Sequence, residues 1–94
     1  MISLTNAEIR TFKAQAQRLK AILEIGKEGI SPKFLAALDA ALTQHQLVKV
    51  KFGQFKEEKK TLSPQLAEKT NSFLVTRVGN VVVLYRPKPP EKTS

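Results

Sequence analysis

The sequence predicts an α/β domain in which helices pack against a mixed β-sheet. Three observations support this fold class: a capped amphipathic helix near the start, an alternating segment LVKVKF in the middle, and a closing hairpin pattern FLVTRVGNVVVLYR. Helical and strand patterns alternate along the chain, an order typical of a mixed sheet with helices packed on it. With 94 residues, the chain is long enough for a single domain.

The first predicted helix follows the segment LTNAE. Thr5 and Glu8 have the spacing of a capping box, in which each side chain bonds the backbone amide of the other residue. Apolar residues then recur at helical spacing and predict a core stripe; they are Ile9, Phe12, Ala16 and Leu19. No glycine or proline marks the end of this helix. The segment Ala21–Ile25 therefore fits either a last helical turn or a short strand.

A second helix and a strand are predicted next. Ser31 can cap the helix, and Pro32 suits its first turn. One face of this helix carries Leu35, Leu38, Leu42 and His45. The segment LVKVKF then alternates with period two, which predicts a half-buried strand with Lys49 and Lys51 on one face. The opposite, buried face would carry Val48, Val50 and Phe52.

The segment EEKKTLSPQLAEKT has the composition of a third helix, but it contains a proline. Pro64 is expected to break or restart a helix, because proline lacks the amide that the helix interior needs. Ser63 and Pro64 could equally be the cap and first position of a helix that reaches about Thr70. We predict one helix, irregular near Pro64.

The last predicted element is a β-hairpin. The runs FLVTRV and VVVLYR flank a Gly-Asn turn at 79–80, which is a strong signal for a two-residue hairpin loop. This turn would place Thr76 opposite Val83 and Phe73 opposite Arg86. We expect the domain to span residues 1–87 and residues 88–94 to form a disordered, basic, proline-containing tail.

Charge is the composition's most informative property. Sixteen Lys and Arg oppose eight Asp and Glu, and the net charge of +8 favours nucleic acid or an anionic membrane as partner. The longest apolar run, Val81–Tyr85, is far too short to span a bilayer. The chain has no cysteine, which excludes disulfides and thiolate zinc sites. We expect a soluble, cytoplasmic protein.

Residues 25–32 read IGKEGISP and allow two interpretations. The first is a tight turn between a strand and a helix. The second is a phosphate site, because Gly26 and Gly29 would expose backbone amides while Lys27 and the helix start add positive charge. Glycine-x-x-glycine loops hold nucleic-acid backbone in this way in KH domains. Glu28 counts against the phosphate site, since its negative charge would lie beside the anion.

The other cations also allow two interpretations. Lys49 and Lys51 could protect an exposed strand from aggregation, or they could direct two ammonium groups at phosphates. The cations of the first helix could form an ordinary solvated face; they include Arg10, Lys13 and Lys20. Arg86 could be a simple charge at the end of a strand.

Nothing in the sequence predicts an enzyme. His45 is the only histidine, and no cysteine or serine nucleophile motif accompanies it. The carboxylates of KEEKK are flanked by lysines and suit a solvated helix face better than acid–base chemistry. We expect no catalytic residue, metal or cofactor.

The run from about Leu4 to Pro87 resembles the CRM domain (chloroplast RNA splicing and ribosome maturation) in its stand-alone bacterial form, the YhbY family. The resemblance is carried, in order, by LTNAEIRTFKAQAQRLKAILEIG, GKEGIS, ALTQHQLVKVKF and RVGNVVVLYRP. It implies a compact domain with a mixed four-stranded sheet and three helices, related to the C-terminal domain of translation initiation factor three. It also implies that Ala21–Ile25 is a strand.

The resemblance further implies a non-catalytic RNA-binding protein that contacts precursors of the large ribosomal subunit. The family's GxxG falls on Gly26 and Gly29. With that placement we predict an RNA-binding surface made of Gly26, Lys27, Glu28, Gly29, Lys33, Lys49, Lys51, Arg86, Arg10, Lys13, Arg18 and Lys20. We expect a monomer whose partner is ribosomal RNA, with no membrane and no small-molecule substrate. The alternative is an interaction module that docks on a ribosomal or other acidic protein.

Overall fold

The computed structural model describes residues 4–87, and the predicted tail at 88–94 lies outside these residues. Three α-helices and four strands follow one another in the predicted order. The elements are α1 (Asn6–Ala16), β1 (Leu23–Ile25), α2 (Pro32–His45), β2 (Leu47–Phe52), a 3-10 turn (Lys56–Glu58), α3 (Lys59–Lys69), β3 (Phe73–Val78) and β4 (Val81–Tyr85). Of the helices between residues 4 and 87, none has both the length and the apolar character that crossing a bilayer requires.

The strands form one mixed sheet in the order β1-β2-β4-β3. β1 and β2 are parallel and are connected through α2, whereas β4 is antiparallel to both β2 and β3. The strand alternative for Ala21–Ile25 is therefore right, because Leu23–Ile25 pair with β2. The fold class that the sequence predicts is confirmed.

The main core lies between the sheet and the helices α2 and α3. Every other residue of β2 faces this side, so Val48, Val50 and Phe52 are buried as predicted. Leu38 and Leu42 of α2 are buried against the sheet, together with Leu66 of α3. His45 ends the helix face that these leucines define, and its side chain is exposed.

A second, smaller core lies on the opposite face of the sheet, beneath α1. Ala16 packs against three buried strand residues, which are Leu47, Val75 and Val83. The ring of Phe12 stacks on that of Tyr85 with centroids 4.0 Å apart. α1 covers only part of this face, because Val78, near the far end of β3, is 70% exposed.

The start of α1 is as predicted, but its end is not. Thr5 and Glu8 bond each other's backbone amides in a complete capping box. The helix stops at Ala16, three residues before Leu19, which is 39% exposed. The prediction that Leu19 belongs to the core stripe is therefore wrong, because the chain has already turned away from the sheet.

The third helix continues through its proline. Pro64 lies inside α3, and the alternative that Ser63 and Pro64 begin the helix is wrong. Ser63 is fully buried, and its hydroxyl donates to the carbonyl of Lys59 at 2.6 Å. Because proline has no amide hydrogen, the carbonyl of Lys60 lacks its usual helical donor. Pro64 itself is exposed, so water can reach this part of the helix.

The hairpin has the predicted turn, but its register changes along the strands. Thr76 lies opposite Val83, as the turn predicts. Leu74 pairs with Leu84 and Thr76 with Val83, so β3 has one extra residue, Val75, that has no partner in β4. This is a β-bulge. Phe73 therefore lies opposite Tyr85 rather than Arg86, which corrects the prediction from the sequence.

Candidate nucleic-acid interface

The GKEG loop, residues 26–29, is a tight turn that connects β1 to α2. The amide of Gly29 donates to the carbonyl of Gly26 at 3.0 Å and closes the turn. The amide of Ser31 donates to the carbonyl of Gly29, and the Ser31 hydroxyl then accepts from the amide of Phe34 at 3.1 Å. The turn therefore leads directly into a capped helix start, where backbone amides and the helix dipole favour an anion.

The two glycines of the GKEG loop have different reasons to be glycine. Gly29 has φ +64°, and a Cβ atom there would lie 3.2 Å from Cε2 of Phe55, so the fold itself requires glycine. Gly26 lies outside the left-handed region of φ, and a Cβ atom there would meet nothing within 4 Å. The folded chain between residues 4 and 87 thus gives no steric reason for glycine at position 26.

The GKEG loop offers the groups that an anion site needs. Among the described residues, the amides of Lys27 and Glu28 donate to no protein acceptor. The side chains of Lys27 and Lys33 are exposed and line one groove beside the turn. The carboxylates of Glu24 and Glu28 line the same groove and reduce its positive charge. The turn and phosphate interpretations are compatible, because the turn is what presents these amides to solvent.

A second loop is tied to the base of the GKEG loop. The amides of Gly53 and Gln54 both donate to the carbonyl of Ile25, at 3.1 and 2.9 Å. The next residue, Phe55, has φ +58°, a left-handed conformation that is rare for an aromatic residue. Its ring lies against Gly29, and the residue as a whole is 40% exposed. The RNA-binding surface predicted from the sequence omits Phe55, because only glycines and charged residues were selected for it.

Lys49 and Lys51 lie on the same face of β2, as predicted, but in different surroundings. Lys49 is half-buried, and its ammonium donates to the carbonyls of Ala16 and Leu19, at 2.9 and 3.1 Å. Lys49 therefore holds the C-terminal end of α1, where the helix dipole favours a cation. Lys51 is exposed and lies beside Glu24 in the neighbouring strand.

The cations of α1 and the following turn are all exposed, but they do not form one cluster. Lys13 shares a groove with Lys49, and its floor includes Val78 and Val81 of the hairpin. Lys20 lines a different groove with Ile22 and His45. The remaining two cations of this region, Arg10 and Arg18, are exposed as well.

Arg86 lies at the other end of the sheet from the GKEG loop. β4 begins beside Lys51, near that loop, and ends beside Leu47. Arg86 follows β4, and its guanidinium donates to Asp39, Thr43 and the carbonyl of Thr70 at 2.6–2.8 Å. The Arg86 side chain is only 17% exposed. The structure thus separates Arg86 from the lysines beside the GKEG loop.

Residues 4–87 contain no cluster of three or more His, Asp or Glu side chains that could hold a metal ion. Every buried side-chain nitrogen or oxygen in the same range has a hydrogen-bond partner. Positive charge is distributed over exposed lysines and arginines instead of being directed into an enclosed cleft. This arrangement suits contact with an extended polyanion.

Comparison with known proteins gives consistent results. The sequence profile of the CRS1/YhbY (CRM) domain matches residues 4–86. A Pseudomonas aeruginosa protein named "Probable RNA-binding protein" is 31% identical over 99% of this chain and 92% of its own length. A Haemophilus influenzae protein named "RNA-binding protein" is 30% identical over 98% of this chain and 94% of its own length.

A solved structure has the same fold. It is the solution structure of a hypothetical protein from Staphylococcus aureus, which is described as a candidate RNA-binding protein. It superposes with a TM-score of 0.79, is 33% identical in sequence, and covers 95% of this chain and 94% of its own.

Proposed function

The chain belongs to the CRS1/YhbY (CRM) domain family, and from that membership we propose that it is an RNA-binding protein. We propose further that it acts by binding and not by catalysis, as a monomer in the cytoplasm. Its target would be ribosomal RNA in a precursor of the large subunit, the role that the family resemblance implies. The names of the bacterial relatives support the RNA-binding part of this proposal.

The observation that carries the proposal is the open space at Gly26. Glycine is usually retained where φ is positive or where other atoms come close. Neither reason exists within the described fold at this position. The close approach of an external group, here a sugar-phosphate backbone, supplies the missing reason.

The proposed contact begins at the GKEG loop. The amides of Lys27 and Glu28 would donate to phosphate oxygens, as in other anion sites built from turns. The start of α2 adds partial positive charge, and Lys27 and Lys33 add two ammonium groups. Glu28 would contribute its backbone amide. Its exposed carboxylate would repel phosphate and so weaken binding at the loop.

A second part of the proposed surface is the face of the sheet that α1 leaves uncovered. Lys51 lies on this face, and Lys13 of α1 lines the groove at its border. Both could attract the phosphates that flank the GKEG loop. Arg10, Arg18 and Lys20 would add to the field that steers RNA toward the protein. The charged groups of Lys49 and Arg86 already bind acceptors within the fold, so we propose that these two residues contribute less to direct RNA contact.

Substitution at Gly26 tests the proposal. Gly26→Ala and Gly26→Gln should leave the melting temperature unchanged or slightly higher, because the position is open and glycine raises the entropy of the unfolded chain. RNA affinity should nevertheless fall, and more for Gln than for Ala. Binding of a large-subunit ribosomal RNA fragment, measured at low salt with melting curves alongside, is the readout. Unchanged affinity in both variants would contradict the role of the GKEG loop.

Crosslinking in cells tests the proposed target. We expect crosslinks to large-subunit ribosomal RNA and an enrichment in precursor particles. Crosslinks only to other kinds of RNA would support RNA binding but contradict the proposed role in ribosome assembly. Recovery of proteins without any RNA would favour the interaction-module alternative.

A further inference from the structure

Phe55 is an exposed aromatic residue held in an unfavourable backbone conformation. Its φ and ψ of +58° and +35° are typical of glycine or asparagine, not of a bulky side chain. The residue is 40% exposed, although phenylalanine is usually buried. Strain together with an exposed apolar ring is a combination found where a residue has a task outside the core.

The surrounding contacts hold Phe55 firmly in this position. The two preceding amides, of Gly53 and Gln54, bond the same carbonyl of Ile25, and the Phe55 carbonyl accepts from the amide of Glu58 at 3.1 Å. The ring lies against Gly29, whose missing Cβ allows the close approach. The ring is thus fixed beside the GKEG loop.

The groove that contains Phe55 carries charges of both signs. Lys27 and Lys56 line it, and so do Glu57 and Glu58. The two lysines and the two carboxylates balance, so the groove has no net positive charge to hold a phosphate. A nucleobase carries no charge, and its faces are apolar, so it is the part of a nucleotide that fits against the ring.

We propose that the Phe55 ring stacks on an unpaired base of the nucleotide whose phosphate contacts the GKEG loop. The inference rests on the proposed RNA-binding function and specifies its substrate class: RNA with at least one unstacked base beside the contacted phosphate. A base inside a continuous duplex has both faces covered by its neighbours and cannot stack on a side chain. The protein should therefore prefer looped or single-stranded RNA to a blunt duplex.

Tryptophan at position 55 gives a direct measurement of stacking. The chain contains no tryptophan, so Phe55→Trp introduces a single fluorophore at the site. We expect a hairpin RNA with an unpaired loop to quench its emission strongly, and a blunt duplex of equal length to quench it weakly. Equal quenching by the two RNAs, or none by either while both bind, would overturn the inference.

Affinity measurements on conservative variants provide the second test. Phe55→Leu keeps an apolar side chain against Gly29 but removes the aromatic face, and it should weaken binding of the looped RNA by about tenfold. Binding of the duplex should not change. Phe55→Tyr should bind the looped RNA like the wild type. Ile22→Ala is the matched control, because it removes exposed apolar surface elsewhere on the protein and should have no effect.

The outcomes separate the two proposals. If the wild-type protein binds neither RNA at low salt, the proposed function fails. If it binds both RNAs equally and Phe55→Leu has no effect, RNA binding stands and the stacking role fails. Melting curves of each variant show how much of the protein is folded. If affinity falls only as far as the folded fraction falls, the stacking role is also rejected.

Discussion

Arg86 and Asp39 form a short ion pair across one end of the sheet, with Nη1 of the arginine 2.6 Å from Oδ1 of the aspartate. The pair is part of a larger network, since the same guanidinium donates to the backbone carbonyls of Asp39 and Thr70 and to the hydroxyl of Thr43. The side chain of Arg86 is 17% exposed, whereas that of Asp39 is 60% exposed. The arginine thus connects the end of β4 to α2 and to the residue that follows α3.

We predict that Arg86 matters chiefly for stability. Arg86→Ala should lower the free energy of unfolding by about 2–3 kcal/mol, because it removes four charge-assisted bonds, one of them to the carbonyl of the buried Thr70. Arg86→Lys should restore little of this loss, since one ammonium cannot reproduce the planar guanidinium's contacts. Urea denaturation measures both variants. Asp39→Asn is the control and should cost less than about 1 kcal/mol, because the carboxylate is largely solvated.

Substitutions at the two lysines of β2 should have different effects, one on stability and the other on RNA binding. Lys49→Met should lower the free energy of unfolding by about 1 kcal/mol, because the carbonyls at the end of α1 lose their donor. Lys51→Met, two residues along the same face, should leave stability unchanged and weaken RNA binding. Urea denaturation and RNA titration on both variants give the comparison. The opposite pattern would show that Lys49 is the phosphate contact.

The GKEG loop should respond differently at its second glycine. Gly29→Ala should lower the free energy of unfolding by about 1–2 kcal/mol, because an L-residue is disfavoured at its positive φ. The added methyl group would also press on the Phe55 ring. Thermal melting measures the effect, with Gly26→Ala as the control at a position without strain. Equal melting temperatures for the two variants would contradict the assignment of a structural role to Gly29 alone.

Salt should weaken RNA binding steeply if phosphates are contacted. The slope of log affinity against log salt is expected to be about −0.7 for each phosphate of a single strand that is neutralised. Lys27→Gln should reduce the magnitude of this slope by about one contact. Titrations at several salt concentrations give both slopes. A slope that does not change in the variant would place Lys27 outside the interface.

Pro64 provides a prediction that concerns the helix alone. Pro64→Ala should raise the free energy of unfolding by about 1–3 kcal/mol, because it restores a helical donor and removes the clash of the ring with the preceding turn. The residue is exposed, so the exchange disturbs no core contact. Urea denaturation provides the measurement. RNA affinity should remain unchanged, which makes the variant a useful stabilised background for the other tests.

The sequence predicted the elements because their signals are local. The capping box of Thr5 and Glu8 and the Gly-Asn hairpin turn act within a few residues. The features that it missed depend on distant contacts. α1 ends at Ala16 without a glycine or proline, where Lys49, 33 positions further along the chain, binds the last carbonyls. The extra residue at Val75 likewise has no signature in FLVTRV, and its side chain packs under α1.

The candidate site was predictable in the same limited way. The spacing of IGKEGISP was enough to predict a turn before a capped helix, whereas the strand before the turn was implied only by the family resemblance. It could not show that Gly29 is required by the fold while Gly26 is not, because that difference depends on where Phe55 lies. Phe55 itself was unpredictable, since no propensity favours phenylalanine in a left-handed conformation.

The edges of the sheet have a consequence for how copies of the protein behave at high concentration. β1, at one edge, is only three residues long and carries Glu24 at its centre. β3, at the other edge, is interrupted at Val75, which breaks the regular row of backbone donors and acceptors. Short, charged or bulged edges are poor templates for another strand. Neighbouring copies can therefore lie side by side without joining their sheets.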